Sequence, residues 1–249
     1  MPVLGWIVAA SIAGGVLSVA VASLSLLLRV TWVPTLVSYS IGALLGAAFL
    51  EVIPHAFERA DPHAAALAIL GGIVGFFLLE KLLLWRHCHT EDERRAGHDH
   101  GRTGAMIIAG DTIHNFVDGV LIAASFLQST EVGIITAMAI VAHEIPQEVG
   151  DFLILLHSGY SRAKALALNL ASSLATIVGG LLGYYALQEI KHLETALLGV
   201  VGASMVYVAV ADLIPGLHKR PELRATFAQI VLIALGIGSI ALVRGLLEH

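Results

Sequence analysis

Residues 132–157, VGIITAMAIVAHEIPQEVGDFLILLH, decide how the whole chain is read. In length and apolar content the stretch matches a membrane-spanning helix, which needs about 17–25 mostly apolar residues. Its centre nevertheless holds His143, Glu144 and Gln147, with Glu148 and Asp151 close behind. An ionisable group near a bilayer centre costs on the order of 2.5–3.5 kcal/mol even on lenient insertion scales. Residues 104–128 repeat the pattern, with His114, Asn115 and Asp118 around their midpoint. Neither stretch has a basic residue in its interior, so these carboxylates need a cation from elsewhere. A divalent metal ion is the simplest one.

The rest of the chain has the same character. It is 57% hydrophobic and 13% charged over 249 residues, whereas a soluble domain carries about 25% charged residues. Apolar runs lie near 4–28, 34–57, 64–85, 104–128, 132–157, 162–187, 194–217 and 225–247. A bilayer cannot hydrogen-bond exposed backbone, so runs of this length must be helical. The expectation is an all-α polytopic membrane protein of eight transmembrane helices, a single domain over residues 1–249. Its solvent is the lipid bilayer, and no nucleic-acid partner is expected at a net charge of −5.

Charge placement orients the chain. Arg29, Arg86, Arg94, Arg95, Arg102, Arg162, Lys164, Lys219, Arg220 and Arg224 fall in alternate loops, against Arg59, Lys191 and Arg244 in the others. The positive-inside rule makes the first set cytoplasmic, which puts both termini outside and the 87–103 loop inside. Met1 to Trp6 has no basic n-region, so the first helix reads as a retained span in a cell (inner) membrane. The single cysteine, Cys88, excludes an internal disulfide. The 87–103 loop holds His87, Cys88, His89, His98 and His100 and is expected to be solvated, with a modest role in collecting or sensing metal.

One internal echo bears on architecture. Glu51-Val52-Ile53-Pro54 closes the second run and Asp212-Leu213-Ile214-Pro215 the seventh. In the inferred topology these ends face opposite sides, as an inverted repeat around the two polar helices would arrange.

Spacing sharpens the site. His114 and Asp118 are four apart and share a helix face, as do His143, Gln147 and Asp151; Glu144 and Glu148 form an adjoining stripe. Pro146 lacks an N–H and frees a carbonyl near Ala142. Imidazole, carboxylate and amide without thiolate suit Zn²⁺, Cd²⁺, Fe²⁺, Mn²⁺ or Co²⁺ better than Cu⁺. The ligating forms are deprotonated, so binding should weaken as pH falls. Asp111 and Asp151 could form an inner exit path, and Glu51 with His55 an entrance. Glu80-Lys81 is expected to serve structure or to snorkel towards the cytoplasmic surface. No prosthetic group is expected; the metal is cargo.

These motifs carry a resemblance. The stretch H-E-I-P-Q-E-V-G-D resembles the H-E-x-P-H-E-x-G-D signature of one subfamily of the Zrt/Irt-like (ZIP) divalent metal transporters, and D-T-I-H-N-F-V-D-G resembles its H-N-F-x-D-G element. Phe77-Leu78-Leu79-Glu80-Lys81 and Tyr207-Val208-Ala209-Val210-Ala211-Asp212 support it. The resemblance implies uptake of a divalent metal into the cytoplasm by an eight-helix homodimer in which one block moves against another. The family's paired metal site carries over to His114, Asn115, Asp118, His143, Glu144 and Gln147. This chain departs from the pattern at Gln147, where the subfamily has a second histidine. It also departs at Glu51, a position that often holds an entrance histidine, at Ala47 one turn earlier, and at Asn169, aligned with a bridging glutamate.

Other functions are weaker on the residues. H-E-x-x-H marks intramembrane zinc proteases, but Gln147 removes the second ligand and Pro146 precedes it. A metal-selective channel and a metal sensor remain alternatives, and radiometal uptake separates them from a carrier.

Overall fold

The computed structural model describes residues 2–24, 33–58, 61–88, 100–189, 194–218 and 222–247. Among them the ordered elements are all helical. We number them α1, Val3–Leu24; α2, Val33–Ala47 continuing through a π-helical turn Ala48–Val52 into Ile53–Glu58; α3, Pro62–Cys88; and α4, His100–Gln128. There follow α5, Thr130–His157; α6, Arg162–Gln188; α7, Glu194–Tyr207 continuing through a π-helical turn Val208–Leu213 into Ile214–Leu217; and α8, Leu223–Leu247. Among the described residues, seven of these are long and apolar enough to cross a membrane. The other, α5, has 28 residues and is the helix with His143, Glu144, Gln147, Glu148 and Asp151.

The helices outrun some apolar stretches that foretold them. Helical backbone continues to Cys88 and resumes at His100, so the 87–103 loop is helical at both ends, and its middle, 89–99, lies outside the described residues. The predicted end of the first span, 25–28, also lies outside them.

Local chemistry sets the hairpin that carries the polar residues. Only Ser129 separates α4 from α5, and its side chain accepts from Val132 N at 3.0 Å, an N-cap. His114 lies 15 residues before Ser129 and His143 lies 14 after it, so both reach the same depth. After α5, Gly159 takes φ 86°, and Gly159 N and Tyr160 N donate to Leu156 O and Leu155 O. This is a Schellman stop, for which a residue without a side chain is best suited.

Packing divides the helices into two groups. In one, α1, α4, α5 and α6 pack closely; in the other, α2 pairs with α8 and α3 with α7. The main bridge between the groups is α2 against α5. Backbone contact holds the tightest pairs. A β-carbon at Gly119 would lie 2.0 Å from Thr176 O, and one at Gly179 2.0 Å from Phe116 O, so α4 and α6 touch main chain to main chain. Gly42 and Gly236 do the same for α2 and α8. Small residues thus set distances as membrane bundles require, while α3 and α8 turn Leu67, Leu70, Phe77, Phe227 and Leu242 outward.

The echo noted in α2 and α7 is repeated in backbone form. Each motif lies in or against a π-helical turn, followed by Ile-Pro and a short α-helical end. Prolines 54 and 215 cannot donate to the carbonyl four residues back, and a π turn is one way to absorb that loss. In α2 the carbonyl concerned, Leu50 O, accepts from Arg244 Nη1 of α8 at 2.7 Å.

Candidate metal centre

Four side chains from α4 and α5 converge. His114 Nε2 lies 3.1 Å from His143 Nε2, 3.7 Å from Asp118 Oδ2 and 3.6 Å from Glu144 Oε1. His143 Nε2 lies 3.2 Å from Asp118 Oδ2 and 3.7 Å from Glu144 Oε1. One ligand atom from each falls within 4.8 Å of all the others.

These lengths have a direct test. A tetrahedral zinc ion takes nitrogen and oxygen at about 2.0–2.2 Å. The edge of a tetrahedron is about 1.63 times that radius, or about 3.3–3.6 Å. Five edges here run from 3.1 to 3.7 Å. Five of the six separations among the four donor atoms are thus close to those of a tetrahedral site, and the sixth, Asp118 to Glu144, lies within 4.8 Å.

The surroundings agree. Asp118, His143 and Glu144 are buried, and Asp118 Oδ2 and Glu144 Oε1 accept no hydrogen bond. Buried carboxylate oxygens are costly in that condition unless a cation meets them. His143 Nδ1 donates to Ala139 O at 3.3 Å. That bond fixes the tautomer and leaves Nε2 bare towards the cluster, the usual outer support of a metal-binding imidazole.

Other sequence-predicted residues lie elsewhere. Asn115 and Gln147 form a neighbouring layer around Asp111, whose Oδ1 accepts from Asn115 Nδ2 at 3.1 Å and from Gln147 Nε2 at 3.2 Å. Asn115 Oδ1 in turn accepts from Thr176 of α6 at 2.8 Å. Glu148 Oε1 accepts from Ser173 at 2.7 Å, and Asn169 Nδ2 donates to the Glu148 carbonyl at 2.9 Å. Asp151 is partly buried further along α5. The amides thus face an acid rather than the four-atom cluster.

Glu51 and His55 are neighbours, with His55 Nδ1 donating to Glu51 O at 3.0 Å. Glu51 Oε2, however, pairs with Arg244 Nε at 3.2 Å. A cation tethered to α8 occupies one side of the expected entrance acid.

Of the two readings of Glu80, structural and snorkelling, the first fits: it accepts a hydrogen bond from Tyr207 of α7. Both line a cavity of about 100 Å³ whose wall also includes His114, Asp118, Ser204 and Asp212. His114, with a side chain 26% exposed, is the cluster's open side. The signal available in sequence was an unpaired acid inside an apolar run and the Asp212 echo. A larger crevice of about 510 Å³, lined by Trp6, Ala10, Phe126 and Val141 among others, has no imidazole or carboxylate in its wall.

Comparison with known proteins bears on what such a site serves. A family described as ZIP Zinc transporter matches residues 86–244. The chain is 34% identical over 221 residues to "Zinc transporter ZIP13" of Pongo abelii, covering 81% of this chain and 64% of that protein. It is 31% identical over 250 residues to "Zinc transporter ZIP4" of Homo sapiens, covering 74% and 38%. To "Zinc transporter YKE4" of Saccharomyces cerevisiae it is 30% identical over 243 residues, covering 83% and 69%. It thus spans less than two thirds of the ZIP13 and ZIP4 relatives.

Proposed function

This chain belongs to the ZIP zinc transporter family, and from that premise we infer that it carries divalent transition-metal ions, zinc foremost, across a membrane into the cytoplasm. The observation that carries the inference is the convergence of His114, Asp118, His143 and Glu144, with five donor separations of 3.1–3.7 Å and all within 4.8 Å, between two helices of membrane-spanning length. In this reading the cluster is a dehydration site. Two imidazoles and two carboxylates replace the water shell of the ion, and the carboxylates cancel its charge where lipid would otherwise oppose it. A transport site must also release the ion. The cavity shared by His114, Asp118, Glu80 and Asp212 supports release by stepwise exchange of oxygen ligands.

Asn115, Gln147 and Asp111 then serve as a hydrogen-bonded layer next to the ion, with Glu148, Asp151 and Asn169 beyond, along the route towards or away from it. Cd²⁺, Fe²⁺, Mn²⁺ and Co²⁺ fit the same nitrogen-oxygen set. We place the protein in a cell membrane as a homodimer with both termini outside and the 87–103 histidines in the cytoplasm, where they assist collection of the ion. Alternating access by movement of one packing group against the other fits the division at α2 and α5. Proteolysis is not part of this reading, because Glu144 aims an oxygen at the cluster as a ligand and Gln147 donates to Asp111.

Zinc uptake by proteoliposomes tests the proposal. Saturable uptake should be abolished by His114→Ala and by Glu144→Ala in protein that still inserts, and only weakened by removal of the loop histidines. Normal uptake in both single variants would mean that the ion travels another way.

A further inference from the structure

Ala142 immediately precedes His143, and Pro146, four residues on, has no N–H to give its carbonyl. The donor comes from a different helix. Ser40 Oγ of α2 hydrogen-bonds Ala142 O. Ser40 is fully buried, 0% exposed. Its Oγ also lies 2.9 Å from Leu36 O, one turn back on its own helix. A hydroxyl carries a single proton, so two carbonyls on two helices share one donor.

The location gives this bond its interest. Side-chain hydrogen bonds described above stay within one packing group: Tyr207 to Glu80 and Arg244 to Leu50 in one, Thr176 to Asn115 and Gln147 to Asp111 in the other. The Ser40 bond crosses from α2 to α5, where the groups meet. It does so one residue from His143 and two from Glu144.

We propose that Ser40 is a positioning residue for the metal-bearing turn and a releasable catch between the two packing groups. With the bond made, the Ala142 carbonyl is satisfied and the turn carrying His143 and Glu144 is held against α2. When α5 moves away, the hydroxyl returns to Leu36 O, the back-bond that serine makes readily inside a helix. Only the carbonyl then goes without a partner. That asymmetry biases the protein towards the conformation with the four-atom cluster assembled, yet leaves the catch easy to open. The catch rests on the transport reading; the positioning role does not.

Ordinary interhelical hydrogen bonding is the competing account. It makes Ser40 matter equally whatever stands at 146. The proposal makes Ser40 matter because Pro146 is a proline, and a double-mutant cycle separates the two. In Pro146→Ala, residue 146 regains an N–H for Ala142 O. Zinc dissociation constants are measured on the purified full chain by competition with a chromogenic chelator, and zinc uptake in proteoliposomes, for Ser40→Ala, Pro146→Ala, the double variant and Ser40→Thr. Ser40→Ala should weaken zinc binding about fivefold in the native background, the fold-change of one typical hydrogen bond. Beside Pro146→Ala its effect should fall below about twofold, and Ser40→Thr should stay within about twofold of wild type. Equal effects in both backgrounds, or no effect in the native one, overturn the proposal. If Pro146→Ala does not fold, Ser40→Val against Ser40→Thr decides, since the two differ by the hydroxyl alone; equal zinc affinity is then the refuting result. Coupling in zinc affinity without wild-type uptake removes the transport reading and with it the catch, leaving the positioning role. Uptake without coupling removes the Ser40 proposal and leaves transport.

Discussion

Replacing Glu144 by glutamine should change the sign of its effect on stability when zinc is added. At pH 8 and without metal, the wild type holds two carboxylates against two imidazoles in a site where Asp118 Oδ2 and Glu144 Oε1 accept no hydrogen bond. Removing one charge at that depth relieves part of a cost on the order of 2.5–3.5 kcal/mol. Metal-free Glu144→Gln should therefore melt at or above the wild-type temperature. With zinc at about 100 times the wild-type dissociation constant, binding stabilises the wild type by about 2.7 kcal/mol. Loss of outer-shell support alone weakens metal sites by about 10–100-fold, so loss of a direct ligand should reach at least the upper figure. At the same free zinc the variant would then be half-saturated and gain only about 0.4 kcal/mol. For a chain of this size 1 kcal/mol moves the melting temperature by about 2–4 °C. The zinc-induced rise should thus be about 5–11 °C in the wild type and about 1–2 °C in Glu144→Gln. Thermal denaturation in detergent, with free zinc buffered, reads both numbers. An equal zinc-induced rise in the two proteins would refute the ligand assignment. A metal-free variant much less stable than wild type would mean that Glu144 is a structural ion-pair partner instead.

Arg244→Met should destabilise the protein by up to about 3 kcal/mol, because it leaves Glu51 buried without its cation; exposure of Arg244 keeps the loss below that of a fully buried pair. Arg244→Met combined with Glu51→Gln should recover most of it in the same melting assay. Gly179→Ala must drive α4 from α6, since its β-carbon would meet Phe116 O at 2.0 Å, and folded yield by size-exclusion chromatography should collapse. Gly110→Ala, with open space around it, should instead be neutral or stabilising by about 0.5–1 kcal/mol. Zinc affinity should fall as pH is lowered, because both imidazoles and both carboxylates ligate in their deprotonated forms; affinity independent of pH from 8 to 5 would argue against imidazole ligation.

Much of the site was legible because position along a helix is a local property. His114 and Asp118 share a face by four-residue spacing, and the near-equal distances of His114 and His143 from Ser129 set their common depth. The cost of charge in lipid then pointed to a cation. What spacing could not supply was the rotation of each helix about its axis. Asn115 and Gln147 carry plausible ligand atoms at the right depth, yet they hydrogen-bond Asp111. Glu51 stands at an expected entrance, but its partner Arg244 lies on α8, far along the chain. For Glu80 the sequence leaves a structural role and snorkelling open, and the Tyr207 hydroxyl of α7 distinguishes them.

The freed carbonyl of Ala142 shows where the division falls. That Pro146 releases it follows from covalent structure and could be read from one residue. That Ser40 answers it could not, because nothing in residues 33–58 marks that serine over Ser38. By itself the sequence determined the helical spans and the common level of their polar residues, from which a cation is expected. The tertiary structure decided which donor atoms meet, since glycine contacts such as Gly119 with Thr176 and Gly42 with Ile233 set how closely the rods approach and which faces turn inward.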